Sequence, residues 1–352
     1  MSLKIIALTE IEIQILEFVK THPRSSSKDI FEFFTNKISY STTKRQLSKL
    51  VSDNLLVISG IGKGTKYSVS SSFELLHPID VDTYFEKEID ERQIKDSFDF
   101  NVITNVLAKN SLFKKDEISK LDLLQKLYEN NISQLSKNEY QRELERLAID
   151  LSWKSSQIEG NTYSLLETER LLKDKETAAG KTKEEATMLL NHKDALDFII
   201  ANQDYLHPLS VSKIEDIHSI LIKDLAVERN IRKRRVGISG TNYRPLENEF
   251  QIAEAMTAMC DLINSKTNIF EKSLLALVLL SYIQPFMDGN KRTARIVSNA
   301  ILMNYYYCPI SFRTIDSIEY KKAMLIFYEQ NNVSNFKKIF INQFEFAVNT
   351  YF

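Results

Sequence analysis

The sequence contains few of the residues that interrupt or cross-link a chain. Its 352 residues include only 8 glycines, 6 prolines and 2 cysteines. So few helix breakers predict long helices and argue against a turn-rich β sandwich. Cys260 and Cys308 are too few for a disulfide framework or for a zinc site built mainly on cysteine. This cysteine usage is typical of a reducing, cytoplasmic compartment.

Charge of one sign and long apolar runs are also missing. The chain has 46 basic and 47 acidic residues, a net charge of −1, so no overall field attracts nucleic acid or an anionic membrane. The most apolar run, residues 274–282, has about half of the roughly 20 residues that a membrane-spanning helix needs. We therefore expect no membrane partner.

The first 72 residues are predicted to form one small module. Apolar residues at helical spacing indicate three helices, after which the pattern changes to two short strands. Gly60, Gly62 and Gly64 lie between these strands and supply the positive φ angles of a hairpin turn. Three helices followed by a β hairpin resemble a winged helix-turn-helix domain, which we predict over residues 1–72.

This module carries an excess of positive charge. Residues 1–70 contain ten Lys or Arg and six Asp or Glu, a net of +4, which leaves about −5 for the rest of the chain. Lys44, Arg45 and Lys49 lie on the predicted recognition helix, where a winged helix contacts DNA. The alternative is a solvated basic face used for protein contact, so DNA, a protein partner and a homodimer all stay open.

The remainder of the chain is predicted to be helical. Residues 73–149 are interpreted as a linker and a helical region, with a linker helix over the densely charged residues 86–99. From residue 150 onward one helical pattern follows another. We therefore predict a mainly α fold, with a core over 150–332 and a C-terminal helix over 333–352.

The most informative segment is residues 284–295, Gln-Pro-Phe-Met-Asp-Gly-Asn-Lys-Arg-Thr-Ala-Arg. An apolar helix ends at Pro285, a bend follows at Gly289 and Asn290, and a new helix begins near Lys291. Loop amides at the start of a helix form an anion-binding concavity. The segment is therefore a candidate anion site.

Three charged side chains flank this bend. Arg292 and Arg295 are three residues apart and share one face of the new helix. Two cations at a helix N-terminus oppose its macrodipole, which is easiest to explain if an anion lies between them. Asp288 is a carboxylate suited to a Mg²⁺ ion that bridges phosphates. Together they indicate a polyphosphate site, the alternative being ordinary surface charges on a helix–turn–helix.

The complete string resembles the signature of the Fic family, His-Pro-Phe-x-Asp/Glu-Gly-Asn-Gly/Lys-Arg-x-x-Arg. Family members share a mostly α-helical core and typically transfer AMP from ATP to a hydroxyl side chain of a target protein. The resemblance implies ATP and Mg²⁺ as cofactors and Asp288 as the metal ligand. It implies a protein target, or the protein itself, as AMP acceptor. The implied nucleotide-binding residues are Gly289, Asn290, Lys291, Arg292 and Arg295.

A second segment, Ser155–Asn161, resembles the inhibitory helix motif of the same family. This resemblance predicts an inhibitory helix over residues 151–161, with Ser155 and Glu159 in its two key positions. In the family the glutamate pairs with the second arginine of the signature, here Arg295, and blocks the γ-phosphate position. A carboxylate can do so because it matches the guanidinium fork that a phosphate would use.

A third segment, Arg234–Pro245, resembles the family's flap, a β hairpin that holds the target segment by strand addition. Val236 and Ile238 alternate with smaller residues as in a strand, and Gly240 fits a turn. The fold predicted for the core is therefore helical with a small β-hairpin flap. The residues expected to contact the target are Ile238, Ser239, Gly240 and Thr241.

The sequence departs from the family at the catalytic position, where Gln284 replaces histidine. The family's histidine is the general base that accepts the proton of the target hydroxyl. A glutamine amide has no usable pKa near 7, and loss of a general base typically costs about 10²–10⁴ in rate. The sequence thus predicts a nucleotide-binding protein with weak or absent AMP transfer, autoinhibited by Glu159.

Three alternatives to this prediction stay open. In the first, the protein is an active transferase that uses another general base. In the second, histidine is the natural residue at position 284 and has been replaced experimentally. In the third alternative, it is a DNA-binding transcriptional regulator whose Fic-like core acts as a sensor.

Overall fold

A computed structural model describes residues 8–34 and 38–352 of the chain. Its backbone packing separates two units, Met1–His77 and Pro78–Phe352. Helices predominate in both, and the sheet found among the described residues has only two strands. The mainly helical class predicted from the sequence is therefore confirmed. Within the described part of the chain, every helix is too short or too polar to cross a membrane.

Hydroxyl side chains cap the N-termini of the first three helices of the first unit. Thr9, Ser26 and Ser39 each accept a hydrogen bond from a backbone N–H in the first turn of the helix that follows. These bonds satisfy donors that a helix start leaves without a partner. The elements of the unit are α1 (Glu10–Thr21), α2 (Ser27–Phe33), α3 (Tyr40–Ser52), β1 (Leu56–Ser59), β2 (Lys66–Val69) and α4 (Ser71–Leu76).

The two strands of this unit form an antiparallel hairpin in which Leu56 lies opposite Val69. At its turn, Gly60 has a φ of +79°, and a Cβ there would overlap the carbonyl oxygen of Gly64, so the turn requires glycine. The order of three helices and a hairpin is the one expected from the sequence. Its assignment as a winged helix-turn-helix stays a prediction. The fully buried core includes Ile15, Val19, Ile30, Leu47 and Leu50.

The second unit is built around one helix that is buried from Phe270 to Ile283. Because neighbouring helices surround it, its stretch from Leu274 to Leu280 is apolar on all faces, which explains the long apolar run in the sequence. The helices are α5 (Val81–Phe85), α6 (Lys115–Ser133), α7 (Lys137–Ile158), α8 (Leu165–Asp174), α9 (Lys183–Ala201), α10 (Val211–Leu221), α11 (Glu249–Ser265), the central α12 (Ile269–Ile283), α13 (Asn290–Asn304), α14 (Ser317–Gln330) and α15 (Ser334–Tyr351).

Two predicted helices differ from the observed ones. The densely charged residues 86–99 do not form a helix, since α5 ends at Phe85 and only a short 3-10 turn, Ile89–Glu91, follows. The inhibitory helix is not a separate element over 151–161. It is the last part of the long helix α7, which ends at Ile158, and Glu159 is its C-cap.

The predicted β hairpin over residues 234–245 is also absent. This stretch, which we call the flap loop, is irregular and turns at Gly240, where φ is +87°. Its alternating apolar residues have no partner strand within the loop. A single isolated parallel bridge joins Arg244 to Ser97 instead.

Candidate functional site

The junction between α12 and α13 has the bend that the sequence predicts. Gln284 ends α12 in the left-handed region, with a φ of 52°. Gly289 precedes α13 with a φ of +79°, a conformation that favours glycine. Inside the bend, the ring of Phe286 stacks on that of His218 with centroids 3.6 Å apart. The two helices are thereby joined by a short loop that is anchored in the core.

Arg292 lies in the first turn of α13 and its side chain is only 1% exposed. Its Nη2 donates to a carboxylate oxygen of Asp288 at 2.9 Å. Its Nε and Nη1 have no hydrogen-bond partner among the described residues. A buried donor without a partner typically costs about 1–3 kcal/mol. The orphaned N–H groups therefore mark a place where an anion would be bound favourably.

Arg295 is fully buried one turn further along α13 and points at the end of α7. Its Nη2 donates to Glu159 Oε1 at 2.8 Å, and its Nε donates to Ser155 Oγ at 2.8 Å. Lys291 Nζ lies 3.4 Å from the other oxygen of Glu159. Residues from two distant parts of the sequence thus meet in one network, in which Arg295 and Ser155 are fully buried and Glu159 and Lys291 are partly buried.

The pKa of the Glu159 carboxyl is set by opposing effects. Burial on its own would raise this pKa, but the positive charges of Arg295 and Lys291 and the hydrogen bond from Arg295 outweigh burial, so the pKa lies below the ordinary 4.5. Glu159 is therefore a carboxylate at neutral pH, and it occupies one edge of the Arg295 guanidinium.

The side chain of Gln284 is fixed by a directed chain of hydrogen bonds. The Phe286 N–H donates to Asn290 Oδ1, and Asn290 Nδ2 donates to the Phe286 carbonyl, both at 2.8 Å. These bonds orient the Asn290 amide, so its Nδ2 donates to Gln284 Oε1 at 3.0 Å. Gln284 Nε2 in turn donates to the carbonyl of Ser281 at 2.7 Å and to Tyr328 Oη at 3.4 Å.

Asp288 stands at the rim of this junction with a side chain that is 62% exposed. One carboxylate oxygen accepts from the Gly289 N–H at 2.6 Å, and the other accepts from Arg292. The described residues contain no cluster of three or more His, Cys, Asp or Glu side chains suited to a metal. A lone rim carboxylate fits Mg²⁺, which typically takes one or two carboxylates together with phosphate oxygens and water.

A cleft of about 320 Å³ lies beside this network. The flap loop lines it with Gly237, Ile238 and Ser239, whereas the described positions Gly240 and Thr241 lie outside the lining. The other lining residues are Ile158, Glu159, Gln284, Lys291, Lys321, Met324, Leu325 and Tyr328. The structure thus brings residues from α7, the flap loop, the α12–α13 junction and α14 to one cavity.

Two residues around this site escaped the sequence reasoning. Tyr328 lies on α14, outside the three motifs, and only its buried contact with Gln284 reveals it. Arg232 begins a basic run that resembles an ordinary surface, yet it is fully buried. Its Nε donates to the Gln284 carbonyl at 2.7 Å. Both residues are recognised as part of the site only because they are buried beside Gln284, and residue type alone does not reveal burial.

The predicted DNA-binding cations belong to the first unit and differ in their surroundings. Lys44 and Arg45 are exposed on α3. Lys49 Nζ lies 2.6 Å from a carboxylate oxygen of Glu12, whose side chain is fully buried. The charge of Lys49 is therefore compensated within the unit although its side chain is 39% exposed, whereas Lys44 and Arg45 are exposed on the same helix.

Comparison with known proteins identifies part of the second unit. Residues 208–302 match the Fic/DOC family. This segment is a Fic/DOC family domain. The Gln284–Arg295 string lies inside it, whereas Ser155 and Glu159 lie outside it.

Curated relatives carry the same family name. The chain is 30% identical over 188 residues to protein adenylyltransferase Fic of Nematostella vectensis, covering 51% of this chain and 42% of that protein. It is 27% identical over 176 residues to protein adenylyltransferase fic-1 of Caenorhabditis briggsae, covering 47% of this chain and 34% of that protein. The matched regions therefore span less than half the length of these relatives.

Solved structures share the fold. Fic-1 (residues 134–508) from C. elegans matches with a TM-score of 0.59 at 21% identity, covering 67% of this chain and 72% of that chain. A Fic domain signalling protein from Bacteroides thetaiotaomicron matches with a TM-score of 0.53 at 22% identity, covering 66% and 91%. At this identity the likeness shows the fold of the Fic core.

Proposed function

We propose that this protein binds ATP at the α12–α13 junction and is related to the protein adenylyltransferases. The observation that carries the proposal is the pair of buried guanidiniums. Arg292 Nε and Nη1 and Arg295 Nη1 have no hydrogen-bond partner among the described residues. Phosphate oxygens match such N–H groups in geometry and charge. The curated relatives that are named protein adenylyltransferases support the same ligand.

The ion pair between Glu159 and Arg295 supports autoinhibition of this site. Its 2.8 Å hydrogen bond occupies an edge of the guanidinium that a terminal phosphate would otherwise use. Lys291 also contacts Glu159, so the carboxylate neutralises two cations at once. A bound triphosphate would have to displace the carboxylate from both, which weakens ATP binding in the resting protein.

The Gln284 network supports weak or absent transfer of AMP. Gln284 Oε1 already accepts from Asn290, and Gln284 Nε2 is a donor, so this side chain cannot take a proton from a target hydroxyl. Neither His192 nor His218 is among the residues that line the cleft. Positioning and charge stabilisation would remain, and these carry most of phosphoryl-transfer catalysis.

Mg²⁺ would be held by Asp288 at the rim of the site. When bound it would neutralise phosphate charge. The acceptor in the transferase reaction would be a hydroxyl side chain of a protein target or of the protein itself, aligned by the flap loop.

ATP binding and label transfer together test this function. Titration calorimetry should detect tighter ATP binding to Glu159→Gly than to the unaltered protein. ATP labelled at its α-phosphate should leave little or no label on protein. If ATP binds very weakly, and equally weakly, to Glu159→Gly and to the unaltered protein, there is no nucleotide site at this junction.

A second candidate function, DNA binding by a transcriptional regulator, is supported by the first unit. Its three helices and hairpin place the exposed Lys44 and Arg45 on α3, the helix expected to enter the major groove. A gel shift that is lost when both are changed to Ala would support it. Self-association without DNA binding would instead identify this unit as a protein-contact or dimerisation module.

A further inference from the structure

The flap loop has no strand partner within itself, so another part of the chain must hold it in place. Residues 90–98, which we call the strap, lie along its second half. The Arg244 N–H donates to the Asp96 carbonyl at 2.8 Å, and the Phe98 N–H donates to the Arg244 carbonyl at 3.3 Å. The strap thus supplies the backbone pairing that a hairpin would have provided.

Side chains strengthen this pairing at two exposed positions. Asn242 Nδ2 donates to an Asp90 carboxylate oxygen at 2.8 Å. Arg244 Nη2 donates to Asp96 Oδ2 at 2.9 Å. The strap therefore contacts the flap loop through both backbone and side chains, from residue 242 to residue 244.

Arg92 makes the buried contact between the strap and the flap loop. Its side chain is 3% exposed, and its Nη2 donates to the Gly240 carbonyl at 2.7 Å. Its Nη1 lies 3.3 Å from the buried carboxylate of Glu329, which also accepts from Tyr84 Oη at 2.6 Å. A buried cation with a fixed counter-ion is held in one orientation, so the position of the Gly240 carbonyl is fixed with it.

The other side of the strap is attached to helix α14. The Lys95 N–H donates to the Glu329 carbonyl at 2.8 Å. Gln330 Nε2 donates to the Gln93 carbonyl at 2.6 Å. Helix α14 and the flap loop form two walls of the cleft, through Met324, Leu325 and Tyr328 on one side and Gly237, Ile238 and Ser239 on the other. The strap therefore links the two walls.

We propose that the strap sets the position of the flap loop relative to α14, and that Arg92 is its main positioning residue. The strap lies outside the segment that matches the Fic/DOC family. The contacts between the strap and the flap loop form without a ligand, so this positioning role can be tested without ATP. Only the test by ATP affinity rests on the proposed function.

Hydrogen exchange of Arg92→Lys tests the proposal. Lysine keeps a positive charge beside Glu329 but loses the guanidinium fork that reaches the Gly240 carbonyl. We expect the Arg244 and Phe98 amides to exchange about tenfold faster, while the amides of the buried helix α12 exchange as before. Lys120→Gln is the matched control, because Lys120 forms an exposed ion pair with Glu345 at 2.7 Å.

Unchanged exchange of both amides in a folded Arg92→Lys protein would overturn the proposal. If this variant does not fold, the double variant Asp96→Ala/Asn242→Ala tests the strap itself, since it removes only exposed side-chain contacts with the flap loop. Faster exchange of the Arg244 and Phe98 amides would support the hold of the strap on the loop, and unchanged exchange would overturn it.

ATP affinity provides the second measurement, made in the Glu159→Gly background. We expect Arg92→Lys to weaken it about threefold or more, by loosening one wall of the cleft. Equal affinity with and without the substitution would overturn a role in shaping the cleft. Absence of ATP binding to the Glu159→Gly parent would refute the proposed function, and hydrogen exchange would still decide the role of the strap.

Discussion

Replacing Glu159 with glycine should release the buried arginine for a ligand. The carboxylate contacts Arg295 at 2.8 Å and Lys291 at 3.4 Å. Hydrogen bonds to charged groups contribute about 1.5–3 kcal/mol each. If ATP must displace the Arg295 contact, removing Glu159 should tighten ATP binding by about 10–100-fold.

Titration calorimetry with ATP and Mg²⁺ measures this change directly. Glu159→Gln serves as an intermediate variant, because it keeps the shape of the side chain and removes its charge. Glu169→Gln is the control, since Glu169 forms an exposed helical ion pair with Lys173 at 2.6 Å and should leave affinity unchanged.

A single outcome would contradict competition between Glu159 and ATP for Arg295. If Glu159→Gly folds normally and binds ATP within about twofold of the unaltered protein, the ion pair does not compete with the nucleotide. Loss of folding would be detected by the thermal transition, and Glu159→Gln would then decide the question. Since Arg295 also donates to Ser155, the helix end should keep one of its anchors in both variants.

Two further predictions concern the nucleotide site, and one concerns the first unit. The double variant Gln284→His/Glu159→Gly should transfer α-phosphate label to protein about tenfold faster or more than Glu159→Gly alone, because histidine can act as the general base. If the double variant binds ATP but transfers no label, the missing base is not the only defect. Glu159→Gly should bind ATP more tightly than the unaltered protein by a factor that stays constant from pH 7 to pH 5. This factor should fall towards 1 only as the pH drops through the lowered pKa of Glu159, below its ordinary value of 4.5, because the protonated carboxyl no longer competes with phosphate for Arg295. A fall already near pH 6 would contradict the lowered pKa. If the first unit binds DNA, changing Lys44 and Arg45 to Ala should reduce the slope of log affinity against log salt by about 2, and an unchanged slope would exclude both as phosphate contacts.

Sequence patterns were sufficient for most of the helices. The apolar spacing predicts one helix after another from residue 150 onward, and α8 to α15 occupy this part of the chain, because the buried face of a helix repeats every turn. The string from Gln284 to Arg295 shows its bend directly, because Gly289 and Asn290 are local conformational signals. Patterns of this kind depend on near neighbours in the chain, so they can be read without the fold.

The irregular segments could not be predicted in this way. The charged residues 86–99 favoured a helix, but in the fold Lys95, Asp96 and Phe98 bond to the backbone of α14 or the flap loop. The flap loop alternates like a strand, yet its partner is the strap and it forms no hairpin. Both outcomes depend on contacts between residues more than 140 positions apart.

The amino-acid sequence alone predicts the helical class, the bend between α12 and α13, the paired arginines and the absence of a histidine at position 284. Each of these is fixed by residue type and local spacing. The folded structure was needed to show that Glu159 reaches Arg295, that Lys49 is paired with Glu12, and that Arg92 donates to the Gly240 carbonyl in the flap loop. Burial and the choice of a charged partner depend on the packing of distant segments, which no local pattern of residues encodes.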